Sequence, residues 1–137
     1  YIDPTIDRAF VRAYQEAVKA WNQTGAFTFQ FVKTEEEADV ILTQMDDATV
    51  SAAGEAESQT NVLTNRFQKV TVRLNRYYLL SWKYGYSNQR IVNTAEHELG
   101  HAIGLDHNEE ESVMQSAGSF YSIQARDIEA VRQLYKE

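Results

Sequence analysis

The feature that most constrains this chain is the stretch 97–107, which reads H-E-L-G-H-A-I-G-L-D-H. His97 and His101 are four residues apart, so on an α-helix both imidazoles leave the same face one turn apart. Gly104 follows and can take the left-handed conformation that ends a helix at little steric cost. The chain can then double back and present His107. The pattern therefore predicts a helix that ends inside the stretch, with three imidazoles grouped beside its end.

Three imidazoles at this spacing suit a catalytic zinc ion, because three protein ligands leave one coordination position open for water. Glu98 lies about 100° round the helix from His97 and can reach a metal-bound water, which makes it the candidate general base. The chain has three histidines, and all of them lie in the motif. We therefore predict His97, His101 and His107 as metal ligands and Glu98 as the catalytic residue, rather than three unrelated histidines.

Length, charge and composition limit the remaining classes. A chain of 137 residues suits one domain with a sizeable core, so we predict a single domain over 1–137. The net charge of -7 argues against a nucleic-acid partner. No cysteine is present, which excludes disulfides and a cysteine-ligated metal, and no apolar run is long enough to span a membrane. We recognise no signal peptide, as expected for a processed or trimmed chain.

The first third of the sequence predicts a long helix. Asp3-Pro4 is a helix-start pattern, with a capping acceptor followed by proline. Apolar residues recur with helical spacing from Ile6 to Trp21. Residues 22–25, which read N-Q-T-G, predict the end of this helix.

The middle of the chain carries strand patterns. Phenylalanine alternates with polar residues over 27–32, and apolar residues alternate over 70–74, so both segments predict strands. The apolar run 40–42 predicts a buried central strand. The small and polar stretch 45–61 fits an edge strand in part. Residues 75–86 are rich in aromatics without a clear period and predict a long packed loop.

Two further helices complete the predicted fold. Ser87 or Asn88 can cap the helix that carries the metal motif, and Ser122 can cap a last helix. The order helix, strands, helix, helix predicts an α+β fold with one sheet packed on helices.

The stretch 97–107, followed by Ser112-Val113-Met114, resembles a metzincin. Within that clan it is similar to the matrixins, the matrix-metalloproteinase-like zinc endopeptidases, and in particular to their compact bacterial members. Ile6–Trp21 resembles their first helix, and Ala38–Leu42 resembles their A-D-I-x-I strand. The resemblance implies a small catalytic domain whose mixed twisted sheet packs on two long helices, with a C-terminal helix. It also implies a monomeric, secreted or cell-surface protein.

The resemblance further implies roles for individual residues. Met114 would be the methionine beneath the metal-binding histidines, and Asp127 would brace that turn. An edge strand near 53–57 would pair with an extended peptide, 115–121 would form the wall of the pocket for the residue after the cleaved bond, and Asn93 would face that pocket. The substrate-contacting residues implied in this way are Ala53, Gly54, Glu55, Ala56, Asn93, Gln115, Ser116 and Tyr121.

The implied function is that of a zinc-dependent endopeptidase hydrolysing extended protein or peptide substrates, with a zinc-bound water and Glu98 as general base. Two alternatives stay open: a zinc-binding recognition module without proteolytic activity, and a zinc hydrolase acting on something other than peptide. The intact Glu98 argues against the first, because a pure binding module needs no carboxylate there. The candidate substrate strand argues against the second.

The sequence also departs from the family pattern. Asn108 stands where matrixins usually have Ser or Thr, and the Pro-x-Tyr after Met114 in animal members is absent. Without a fourth histidine, we expect one catalytic zinc and no structural zinc of the usual kind. Asp46 and Asp47 offer carboxylates, but we do not expect a calcium site. Arg126 replaces an acidic residue, so we expect no salt bridge from the N-terminal ammonium at that position.

Overall fold

A computed structural model of the chain describes residues 1–61 and 66–136. The described residues form four helices and three strands, and the predicted α+β class is confirmed. The elements in chain order are α1 (Arg8–Gln23), β1 (Val40–Met45), β2 (Gly54–Asn61), β3 (Arg66–Asn75), α2 (Arg76–Leu79), α3 (Asn88–Ile103) and α4 (Ala125–Leu134).

The three strands form a mixed sheet in the order β1-β3-β2. Strand β3 is central, runs parallel to β1 and runs antiparallel to β2. The prediction of a central strand at 40–42 was therefore wrong. Ile41 and Leu42 are buried, and the first residues of the chain cover the outer edge of β1. There the N–H of Leu42 donates to the carbonyl of Tyr1 at 2.8 Å, and the N–H of Asp3 donates to the carbonyl of Leu42 at 2.9 Å.

Helix α1 packs against α3, and the two long helices enclose the core together with the sheet. The predicted start of α1 at Asp3-Pro4 was wrong, since the helix begins at Arg8. The Asp3 side chain instead accepts hydrogen bonds from the N–H of Thr5 at 2.9 Å and from its hydroxyl at 2.7 Å. Aspartate often closes a local turn of this kind in competition with helix capping.

The strand predicted at 27–32 was also wrong, since all of these residues are described and none belongs to a strand. The Asn22 side chain occupies both backbone groups of Phe29, accepting from its N–H at 2.7 Å and donating to its carbonyl at 3.0 Å. A side chain thus replaces a strand partner here. Phe27 and Phe29 still pack against the core, with ring centroids 4.9 Å apart, whereas Phe31 is 53% exposed.

Helix α3 carries the metal motif and is buried along most of its length. Ser87 caps it as predicted, because its hydroxyl accepts a hydrogen bond from the N–H of Arg90 at 3.2 Å. The helix ends at Ile103, and Gly104 follows with φ of 126°, a left-handed value that favours glycine.

Two other helix boundaries differ from the sequence-based expectation. The segment 75–86 is not all loop, because it begins with the short helix α2, which Asn75 caps by accepting from the N–H of Tyr77 at 3.2 Å. Helix α4 begins at Ala125 after Gln124 and not after Ser122. Asp127 holds that start, since one of its carboxylate oxygens accepts from the N–H of Gln124 at 2.9 Å.

None of the helices in residues 1–61 and 66–136 has the length and apolar character needed to cross a membrane.

Gly100, inside the metal motif, is required by packing. A Cβ atom at this position would overlap Met114 Sδ and would lie 3.5 Å from Trp21 Cζ2. Met114 is buried with 1% exposure, and Trp21 is fully buried, so neither side chain has free space to move into.

We expect Gly100→Ala to lower the free energy of unfolding by about 1–3 kcal/mol through overpacking, against a gain of at most about 1 kcal/mol from helix propensity. Denaturant unfolding measures this change. In a Met114→Ala background, which removes the overlapping sulfur, Gly100→Ala should cost much less. An equal cost in both backgrounds would contradict the packing explanation.

Candidate metal centre and cleft

The three histidines of the motif meet beyond the C-terminal half of α3. His97 Nδ1 lies 2.7 Å from the carbonyl oxygen of Val113, and His101 Nδ1 lies 2.9 Å from that of Leu105. A carbonyl accepts only from a protonated nitrogen, so each Nε2 keeps its lone pair. The Nε2 atom of His107 lies 3.1 Å from that of His97 and 3.0 Å from that of His101.

This arrangement fits a zinc ion. Two nitrogens bound tetrahedrally at about 2.0–2.1 Å from one ion would be about 3.3 Å apart, close to the observed separations. Among the described residues, these histidines are the one group of three or more potential ligands whose donor atoms lie within 4.8 Å of one another. His97 is buried, His101 is half-buried and His107 is exposed, which leaves the centre open to solvent on one side.

Burial also sets the protonation of the ligands. It lowers the pKa of His97 to about 4 against the opposing hydrogen bond to Val113, and it lowers the pKa of His101. Both imidazoles are therefore neutral near physiological pH, which is the form that binds a metal.

Glu98 is buried beside the histidines with 5% exposure. Burial, with a smaller contribution from the Glu55 carboxylate, raises its pKa to about 8. Burial therefore favours the protonated form of this carboxyl group. A Cβ atom at Gly54 would lie only 3.0 Å from Glu98 Oε2, so the carboxyl group packs closely against the start of β2.

The turn around Met114 lies under the histidines, and Asp127 braces it as the resemblance implied. One Asp127 oxygen accepts from the hydroxyl of Ser112, and the other accepts from the N–H of Val113 at 2.9 Å. The carbonyl of Val113 holds His97. Asp127 on α4 therefore helps to fix the position of His97 through one intervening residue.

A cleft of about 890 Å³ runs past the histidines and Glu98. Residues 51–56 of the chain before and within β2 form one side. Tyr86, Thr94 and residues 116–118 contribute to its lining on the side of α3. We call residues 115–121 the wall segment.

The cleft contains some of the predicted substrate-contacting residues and not others. The five that line it are Ala53, Gly54, Glu55, Ala56 and Ser116. Asn93, Gln115 and Tyr121 do not line this cleft, and their contacts with substrate stay predictions.

The reason is that the wall segment is tied inward at Ser119, which is buried. Asn93 Nδ2 donates to the carbonyl of Ser119 at 3.0 Å, and Asn93 Oδ1 accepts from Gln89 Nε2 at 2.9 Å. Asn93 therefore supports the wall segment from the side away from the cleft. The chain therefore presents Ala117 and Gly118 to the cleft, and Tyr121 lies beyond the tie.

Sequence reasoning missed several lining residues. Thr94 precedes His97 by three positions and so shares its helix face, a signal that was present in the sequence. Tyr86 gave no such signal, because the aromatic stretch around it has no period. Tyr135 reaches the cleft from the end of α4, where its hydroxyl donates to the carbonyl of Ile103 at 2.7 Å.

Asp46 and Asp47, the two carboxylates considered for calcium, each contact a neighbouring group. Asp46 lies 3.8 Å from the Arg76 guanidinium, and Asp47 accepts a hydrogen bond from the N–H of Thr49 at 2.9 Å. Neither belongs to a group of three potential ligands in the part of the chain that the structure describes.

Arg126 and the first residue of the given sequence each contact other groups. The ammonium group of Tyr1 donates to the carbonyl of Val40 at 3.0 Å, and Arg126 pairs with Glu110.

A three-histidine centre with an adjacent buried carboxyl group, set in a cleft beside a sheet edge, defines a zinc metalloprotease class of site. Comparison with protein families agrees, because the model of the family described as Matrixin matches residues 3–136. The chain therefore belongs to the matrixin family, and the metzincin resemblance is confirmed. A search of curated proteins gives no match for this chain.

Glu96 offers a test of the electrostatics behind the site. It is buried with 4% exposure, and burial raises its pKa to about 7, although its Oε1 accepts from the N–H of Ile123 at 3.1 Å. The folded protein therefore holds the Glu96 proton more tightly than the unfolded chain, whose ordinary value is 4.5. The stability that this proton gives the folded protein is fully present below pH 4.5 and is lost as the pH rises through the pKa of Glu96 in the folded protein.

Glutamine does not ionise, so we expect Glu96→Gln to remove this pH-dependent loss of stability. Above about pH 8 the free energy of unfolding of the variant should exceed that of the parent by on the order of 3 kcal/mol at most. Unfolding free energies of both proteins at a series of pH values measure the difference. The exposed Glu109→Gln is the matched control. A difference that does not grow with pH would contradict the pKa assignment.

Proposed function

We propose that this protein is a zinc-dependent endopeptidase that hydrolyses peptide bonds in extended protein or peptide substrates. The observation that carries the proposal is the buried Glu98 carboxyl group beside three converging imidazole nitrogens, within one cleft. A zinc ion held by His97, His101 and His107 would polarise a peptide carbonyl and lower the pKa of a water molecule.

Glu98 then moves the proton. Its carboxylate accepts a proton from the attacking water and returns it to the leaving amine. The packing of Gly54 against Glu98 Oε2 restricts where the carboxyl group can lie. Because the side chain is held before substrate binds, little ordering is needed at the moment of reaction.

The peptide would bind along β2. This strand ends the sheet order, and its residues lie beside the catalytic carboxyl group. Backbone N–H and C=O groups at such an edge can pair with an extended peptide, and small residues such as Ala53, Gly54 and Ala56 allow a close approach. This strand edge favours a peptide substrate over the non-peptide alternative.

The recognition-module alternative is disfavoured by Glu98. Keeping a carboxyl group buried with a raised pKa beside a metal centre is costly, and metal binding alone does not require it. We also propose that residues 1–137 act as one catalytic domain, that the protein is a monomer, and that it works outside the cell or at its surface, as matrixins typically do.

We expect Glu98→Gln to keep zinc and the fold while lowering kcat for peptide hydrolysis by about 10²–10⁴-fold, because the amide cannot accept the proton. Peptide-library digestion followed by kinetics on one cleaved sequence measures this. The exposed Glu36→Gln is the control and should retain full activity. Unchanged turnover in Glu98→Gln would end the proposal.

Acid should release the metal. The pKa of His97 is about 4 in the metal-free site, so zinc should remain bound near neutrality and be lost as the pH falls below about 4. Dialysis at stepped pH followed by metal analysis measures the loss. Zinc that stays stoichiometric below about pH 3 would show that imidazoles are not the ligands.

A further inference from the structure

Arg90 also ties the wall segment to α3, in addition to Asn93. The Arg90 guanidinium carbon lies 4.3 Å from the ring centroid of Tyr86 and 4.6 Å from that of Phe120. Its Nη2 donates to the hydroxyl of Ser119 at 2.9 Å. Arg90 therefore joins the start of α3 to residues about thirty positions further along the chain.

The clamp that Arg90 forms lies next to residues that line the cleft. Tyr86 lines the cleft, and residues 116–118 line it immediately before the clamped Ser119 and Phe120. These lining residues, Ser116, Ala117 and Gly118, are small, and Gly118 has a left-handed φ of 79°. Such a stretch has little packing of its own to hold it, so its position depends on the ties at its far end.

The contacts suit arginine and not lysine. A planar guanidinium can stack on aromatic faces while its N–H groups still donate, whereas an ammonium group is a compact point charge. Within the described residues, Arg90 Nε is buried and has no hydrogen-bond partner. The guanidinium therefore stacks between the two rings although one of its donors makes no hydrogen bond.

We propose that Arg90 is a specificity-determining positioning residue. By stacking between Tyr86 and Phe120 and holding Ser119, it sets the width of the cleft for the substrate side chain that follows the cleaved bond. This inference rests on the proposed function, because it assigns the wall segment to the substrate. Arg90 takes no part in the chemistry, and it acts through the wall segment.

The test compares Arg90→Lys and Phe120→Ala with the parent, using the exposed Arg12→Lys on α1 as the matched control. Phe120 is 60% exposed, so its truncation leaves the core intact even if the arginine variant folds poorly. Two peptides that differ only in the residue after the cleaved bond, alanine against leucine, serve as substrates. Zinc content is measured for every variant.

We expect the ratio of kcat/KM for the two peptides to change by at least about fivefold in both clamp variants, with zinc content unchanged and no change in Arg12→Lys. A ratio that stays within about twofold of the parent in both clamp variants would overturn the proposal.

Amide hydrogen exchange separates this inference from the proposed function, because it needs no activity. Exchange in the wall segment should be faster by about tenfold in Arg90→Lys. If the parent cleaves no peptide but exchange increases, the endopeptidase proposal and the specificity role fail together while the clamp stands. If the parent cleaves peptides and exchange is unchanged, the clamp is wrong and the endopeptidase proposal stands.

Discussion

The site depends on two hydrogen bonds that fix imidazoles to backbone carbonyls. His97 is held by Val113 and His101 by Leu105, and each bond leaves Nε2 free to face the same point. Because both carbonyls lie in chain segments after α3, the helix alone cannot build the centre. The chain must turn at Gly104 to supply Leu105 and His107, and it must then return beneath the histidines to supply Val113.

That return is secured by buried contacts that have no direct role in the chemistry. Asp127 on α4 accepts from the N–H of Val113, and Met114 fills the space that Gly100 leaves open above Trp21. The hydrogen bonds of Asp127 and the packing of Met114 thus fix the same turn. The metal centre, the closing helix and the core formed by α1 and α3 are therefore one cooperative arrangement.

The sequence was most informative where one local rule determines the structure. The spacing of His97 and His101, the capping at Ser87 and the turn at Gly104 each depend on neighbouring residues, and each was predicted. Two of the predictions that failed involve residues outside the pattern itself. Asn22 takes the backbone groups of Phe29 that a strand would need, and the first residues of the chain bury β1 from outside. The hydrogen bonds that hold Ser119 could not be predicted either. They join it to Asn93 and Arg90, which lie 26 and 29 positions earlier in the sequence.

The central claim is that one metal ion at the three histidines supports peptide hydrolysis. The most direct measurement is a titration of the metal-free protein with zinc while the cleavage of a defined peptide is followed. The account predicts that activity is absent without metal, rises linearly and reaches its plateau at one zinc per chain. Peptide cleavage by the metal-free protein, or no cleavage at full zinc occupancy, would contradict it.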